Sequence, residues 1–181
     1  MRPIILITAL VLIFGCAQQQ AEQVKEPAVA EQQEVVGMKI TSAAFKDGGA
    51  IPSKYTCDGD GLSPPLAISD VPKNAKTLAL IADDPDAPMG TWVHWVVWNI
   101  PATTTKVAEG EAPGEEGTTD FGRTGYGGPC PPSGTHRYFF KLYALDTELS
   151  LPSSTTKKQL ESAMKGHVIA EAKLIGTYKR S

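Results

Sequence analysis

The sequence predicts a mostly β domain, a sandwich or barrel carrying one or two short helices. Three observations predict it. Residues 77–82, 93–100 and 136–145 are runs of aliphatic, β-branched and aromatic residues at strand length. Only residues 157–165 carry helix punctuation, with Thr156 and Gln159 spaced as a capping box and Gly166 suited to the C′ position. The remainder is punctuated by many of the 17 glycines and 14 prolines, which mark turns and loops. Many strands with one decorating helix favour packed β layers.

The elements follow in order. Residues 38–45 alternate and read as a strand, closed by a turn at Lys46-Asp47-Gly48-Gly49. Residues 51–57 read as a second short strand, and residues 58–65, with two glycines and two prolines, as a loop. The unbroken apolar run 77–82 reads as a central strand buried on both faces. The segment 83–90, opening Asp83-Asp84-Pro85-Asp86-Ala87-Pro88, breaks it. Residues 93–100 form the next strand, stopped by Pro101, which has no N–H for a ladder. Trp95 and Trp98 fall within it and read as core or sheet surface. Residues 103–128 are poor in apolar groups and rich in glycine and acid, which predicts a long surface loop. Residues 136–145 give a third strong strand, and residues 167–178 a last one after the helix.

Composition bounds the function. Hydrophobic residues make 41% and charged residues 20%, with a net charge of -3. These values fit a globular chain and exclude collagen, wholesale disorder and a polytopic membrane protein. There is no basic surplus of the kind nucleic-acid binders carry.

The N-terminus reads as an address. Arg2 precedes an apolar run at residues 4–14, too short for a mature membrane span. Ile13-Phe14-Gly15-Cys16 resembles a lipoprotein signal, which implies cleavage of residues 1–15 and acylation of Cys16. Residues 16–37 then form a linker, whose six glutamines, four glutamates and lack of aromatics cannot build a core. A single folded domain is expected over residues 38–181. The expected location is extracytoplasmic, anchored by lipid to the cell membrane.

Polar residues gather where the strong strands end. The prolines of Asp84-Pro85-Asp86-Ala87-Pro88 fix where the carboxylates point. Trp92 and His94 open one strand, and His136, Arg137 and Tyr138 open another after a loop rich in glycine and proline. On a strand His136 and Tyr138 share a face and Arg137 takes the other. These segments, with Trp92-Val93-His94, Gly128-Pro129-Cys130-Pro131-Pro132, Tyr55-Thr56-Cys57-Asp58-Gly59 and Ser63-Pro64-Pro65-Leu66, resemble the phosphatidylethanolamine-binding protein family. The likeness is to its Raf kinase inhibitor protein-like group, in the bacterial and archaeal YbhB/YbcL-like branch.

That resemblance implies a two-sheet antiparallel β-sandwich with a small anion pocket for phosphate-type groups or phospholipid headgroups. Carried over by motif, the ligand-binding residues are Asp84, Asp86, Trp92, His94, Gly128, Pro131, His136, Arg137 and Tyr138. Arg137 is expected to support the site by pairing with a carboxylate, Asp86 being one candidate. Imidazoles donate to phosphate oxygens when protonated, and Tyr138 has a hydroxyl to give. Asp84 has oxygens to accept from an amine, and the Gly127-Gly128 backbone has N–H groups to add. The expected partners are a small phosphate-containing ligand or headgroup, the membrane through the lipid, and, as the alternative function, a protease or kinase regulated through surface loops.

Rival readings stand beside this one. Asp84, Asp86, His94 and His136 have the donors for zinc or iron, but no short His or Cys spacing supports a metal, and no cofactor is expected. Ser63 and Ser133 lack a nucleophile elbow, and Cys130 is a lone candidate nucleophile, so the protein is not expected to be an enzyme. With Cys16 lipidated, Cys57 and Cys130 remain as an even pair in an oxidising compartment, where a disulfide is the expected use.

Overall fold

The computed structural model describes residues 37–180. The signal expected at 1–15, the lipidation expected at Cys16 and all but the end of the expected linker lie outside the described residues. Among the described residues, nine strands and one α-helix follow in order: β1 Lys39–Ser42, β2 Gly49–Ala50, β3 Leu66–Ser69, β4 Thr77–Asp84, β5 Trp92–Pro101, β6 Lys106–Val107, β7 Glu115–Glu116, β8 His136–Leu145, α1 Lys157–Met164 and β9 Val168–Tyr178. They form a three-stranded sheet, β1-β3-β6, and a six-stranded sheet, β2-β9-β8-β4-β5-β7. The expected two-sheet β fold is therefore present. All pairings between strands are antiparallel except β2 with β9, which run parallel.

Strand β4 explains the architecture. All eight of its residues are buried, and alternate side chains enter two different cores. Leu78, Leu80 and Ala82 face the small sheet and pack with Ile40, Leu66, Ile68, Trp95, Phe140 and Leu142. Ala79 and Ile81 face the other way and pack with Val96, Trp98, Leu160 and Met164 under the helix. An unbroken apolar run is what a strand covered on both faces requires. Each fully buried aliphatic side chain contributes about 1.5–3 kcal/mol. Two of the three tryptophans of β5 are core, Trp95 between the sheets and Trp98 under the helix, while Trp92 at its start is exposed.

Helix α1 has the punctuation expected of it. The Thr156 N–H is held by Gln159 Oε1 at 2.8 Å, and Gly166 follows the C-cap with φ 85°. A buried carboxylate locks the helix to the sheet: Asp83 Oδ2 accepts from Lys141 at 2.8 Å and from Lys157, on α1, at 2.6 Å.

Four expectations need correction. Residues 51–57 are not a strand, because Pro52 removes a ladder donor and opens a 3-10 turn at Ser53–Tyr55. The short pairing with β9 falls earlier, at Gly49–Ala50. Asp83 and Asp84 do not break β4 but complete it. Strand β3 went unanticipated, since four residues between Pro65 and Pro72 show too little periodicity to read. The segment 103–128 is not one open loop: it carries β6 and β7 and a bridge between Thr118 and Thr124.

Candidate functional site

The site lies where β4, β5 and β8 come together. Consecutive residues of β4 point to opposite faces, so while Asp83 holds the helix, Asp84 turns to the other side. Its Oδ1 accepts the Asp86 N–H at 2.8 Å, and its Oδ2 takes the Nδ1–H of His136 at 2.7 Å. His136 is the first residue of β8.

His94 arrives by an irregularity. In the β4–β5 ladder Asp83 pairs with Val93 and Ala82 with Trp95, which leaves His94 without an opposite residue. Such a bulge re-aims a side chain that strict alternation would send elsewhere. Gly127 clasps the bulged residue twice: its N–H donates to the His94 carbonyl at 2.8 Å, and its carbonyl accepts from His94 Nδ1 at 2.6 Å. A carbonyl only accepts, so Nδ1 carries a proton. The same logic at Asp84 puts a proton on His136 Nδ1. The Nε2 atoms of both rings make no hydrogen bond to a described residue.

His94 is 4% exposed. Burial pushes its pKa below the ordinary histidine value, against the Gly127 hydrogen bond and the charges of Asp84, Asp83 and Asp120. Its ring stands edge to face with Tyr138 at 5.2 Å and with Phe121 at 5.3 Å.

Asp84, His94 and His136 line a cavity of about 250 Å³, walled by Cys130, Pro131 and Pro132 and opening past Ala87, Pro88, Met89, Trp92 and Phe121. Among the described residues, no lysine or arginine lines it. Any positive charge inside must come from a protonated histidine. Four large apolar side chains stand exposed among the described residues, and three of them, Met89, Trp92 and Phe121, are at this mouth.

Of the nine ligand-binding residues expected from sequence, the cavity gathers Asp84, Trp92, His94, Pro131 and His136. Asp86 and Arg137 are not in its wall. They clasp each other, Nη2 to Oδ1 at 2.7 Å and Nε to Oδ2 at 2.9 Å, and the Arg137 N–H adds a third bond at 2.9 Å. The guanidinium holds the Asp86 carboxyl down at about 2. The expected pairing of these two residues is therefore present. Tyr138 lies behind His94, 2% exposed, and its hydroxyl has no hydrogen-bond partner among the described residues. Gly128 packs on the Thr56 backbone, where a Cβ would come within 2.9 Å. The Gly127 amide is spent on His94, and both Asp84 oxygens are engaged, so neither is free in the way the sequence reading expected.

The sequence reading missed Ala87, Pro88, Met89, Phe121 and Pro132. Phe121 had one available signal, as the aromatic residue set between Asp120 and Gly122 in an acidic segment. Cys57 and Cys130 are joined, with Cα atoms 5.4 Å apart and 73 residues of separation. Cys130 thus lines the pocket as a half-cystine and has no thiol for nucleophilic work. No group of three or more His, Cys, Asp and Glu among the described residues is placed to hold a metal ion. His167, away from the pocket, pairs with Asp146 at 2.8 Å.

The chain is similar to known proteins over its folded part. Residues 41–179 match the phosphatidylethanolamine-binding protein family. A UPF0098 protein of Methanothermobacter thermautotrophicus is 54% identical over 150 residues, covering 79% of this chain and 99% of its own length. Another, from Pyrococcus horikoshii, is 44% identical over 189 residues, covering 98% of this chain and 88% of its own. Among solved structures, a phosphatidylethanolamine-binding protein homologue from Chlamydia trachomatis has a TM-score of 0.78 at 48% identity, covering 80% of this chain and 99% of that one. E. coli YbcL, described as a new member of the mammalian family, has a TM-score of 0.73 at 33% identity, with the same coverage.

Proposed function

The chain belongs to the phosphatidylethanolamine-binding protein family, and from that premise we propose that it is a non-catalytic binding protein, lipid-anchored outside the cytoplasm, whose pocket takes a phosphate-type group, free or as a phospholipid headgroup. The observation that carries this reading is the pair of histidines. Each has Nδ1 tied to the protein, by Gly127 and by Asp84, and Nε2 left over in one small cavity. A neutral Nε2 accepts from a P–OH group, and a protonated one donates to a phosphate oxygen. Phosphate groups offer both partners near neutral pH. The apolar mouth suits the carbon skeleton beyond the headgroup. The absence of a free thiol in the wall and of a triad among these residues supports binding rather than turnover. The lipobox-like Ile13-Phe14-Gly15-Cys16 supports the anchor.

The test is a titration with inorganic phosphate and with phosphoethanolamine, following the histidine ring resonances by NMR. His94 and His136 should move while His167 stays still. Silence at both pocket histidines up to millimolar ligand would overturn the reading.

A further inference from the structure

The most telling feature outside the expected ligand set is Phe121. It sits at the tip of a small hairpin closed by the Thr118–Thr124 bridge, by Thr119 N–H to Arg123 O at 3.0 Å and by Gly122 N–H to Thr119 O at 3.0 Å. Gly122 takes φ 71°, a turn geometry that favours glycine. The hairpin is stapled to the edge of β5: Asp120 N–H donates to Val93 O at 3.2 Å, and Val93 N–H donates to Asp120 Oδ2 at 2.7 Å. These bonds fix where the next side chain goes. The Phe121 ring meets His94 at 5.3 Å and Trp92 at 5.6 Å, both edge to face. It also fills the space beside Gly127, where a Cβ would lie 2.2 Å from the ring. Gly127 is the residue whose carbonyl holds His94. Phe121, Gly127 and His94 are thus one contact triangle.

We propose that Phe121 is the positioning residue of this pocket: its ring, held across His94 by the 118–124 hairpin, keeps water off the imidazole and so decides how readily His94 takes a proton. The proposal deepens the anion-pocket reading, because no lysine or arginine lines the cavity and the charge for an anion must come from histidine. The groups that act on His94 are Asp83 and Asp84 on β4, Asp120 on the hairpin, and Tyr138 on β8, with His136 in the same cavity; Arg123 stands 5.9 Å from the Phe121 ring. The carboxylates favour the imidazolium, so what opposes it is burial, and Phe121 is the removable part of that burial. An entering anion makes His94 protonation favourable, and ligand binding then takes up a proton.

The experiment is an NMR titration of the three histidines in the full chain and in three variants. Phe121→Ala should raise the proton affinity of His94 by about tenfold, since desolvation is what is relieved. Phe121→Leu, which keeps an apolar cover, should restore most of the original midpoint. Gly127→Ala, which displaces the ring without deleting it, should move His94 in the same direction as Phe121→Ala. His136 and His167 should keep their midpoints throughout. An unchanged His94 midpoint in Phe121→Ala would overturn the proposal, and so would equal movement of all three histidines, which would mean general loosening. Inorganic phosphate supplies the second arm: it should bind Phe121→Ala about tenfold more tightly at pH 7, the same proton no longer being withheld. If phosphate binds neither protein, the anion-pocket reading fails while the proton measurement still decides the role of Phe121.

Discussion

His94 and His136 carry the same ring in different surroundings. His136 hands its Nδ1 proton to a carboxylate, Asp84, while His94 hands its own to a neutral carbonyl, that of Gly127. Burial dominates at His94 and lowers its pKa, so near neutral pH it presents a lone pair at Nε2 rather than a charge. An anion that binds must raise that pKa again. The sign follows: affinity rises as pH falls toward the free-state midpoint of His94 and is lost as pH climbs above it. Sulfate is the clean probe, because it does not titrate between pH 5 and 8. Its affinity should increase as pH falls across that window, by about tenfold per unit where one proton is taken up per anion. Calorimetry that finds the affinity flat, or rising with pH, would show that the histidines do not supply the charge. Asp84, His94 and His136 were legible in the sequence because each stands where an apolar run meets a loop rich in proline and glycine. Phe121 was not, since a lone aromatic in an acidic segment belongs to no periodic pattern. Tyr138 was placed in the ligand set by its motif, and only three-dimensional packing could put it behind His94.

Among elements, length decided what could be read. Strands β4, β5, β8 and β9 and helix α1 each supply eight or more residues of pattern, and their positions follow from the sequence within a residue or two. Strands β2, β6 and β7 have two residues each, and no periodicity exists in two residues. The bulge that frees His94 is equally silent, because it depends on register against a neighbour. The disulfide is the device that joins these poorly patterned parts. It ties the 3-10 turn region after β2 to the proline-rich approach to β8, beside the bond from Cys57 N–H to Pro129 O at 3.1 Å. With 73 residues between the half-cystines, opening it should cost roughly 4 kcal/mol of stability if the constraint acts mainly on the unfolded chain. Urea unfolding of the Cys57→Ser and Cys130→Ser double variant against the oxidised protein measures this. A difference below about 1 kcal/mol would mean that strain or residual structure in the unfolded state cancels the gain.

The whole molecule divides its tasks along the chain. Composition pointed to a globular chain without a basic surplus, but it could not say that β4 would serve two cores. Among the described residues, the side chains of the two cores and those of the pocket wall are different sets that interleave along the same strands, as Ala82 and Trp95 in a core stand next to Asp84 and His94 at the pocket. The N-terminal features have a separate chemistry: an apolar run, a cysteine after Gly15, and a polar stretch without aromatics. Anchor and binding should therefore be separable by mutation. If Cys16 carries the proposed lipid, Cys16→Ser removes its acceptor and with it an affinity worth about 0.8 kcal/mol for each buried CH₂. The variant should move from the membrane fraction to the soluble one. A chain beginning at Gly37 should unfold at the same urea midpoint as the full chain and show the same histidine shifts with phosphate. Cys16→Ser protein that still sediments with membranes would mean that something other than acylation holds it there. A lower midpoint for the shortened chain would mean that residues before Gly37 contribute to the fold.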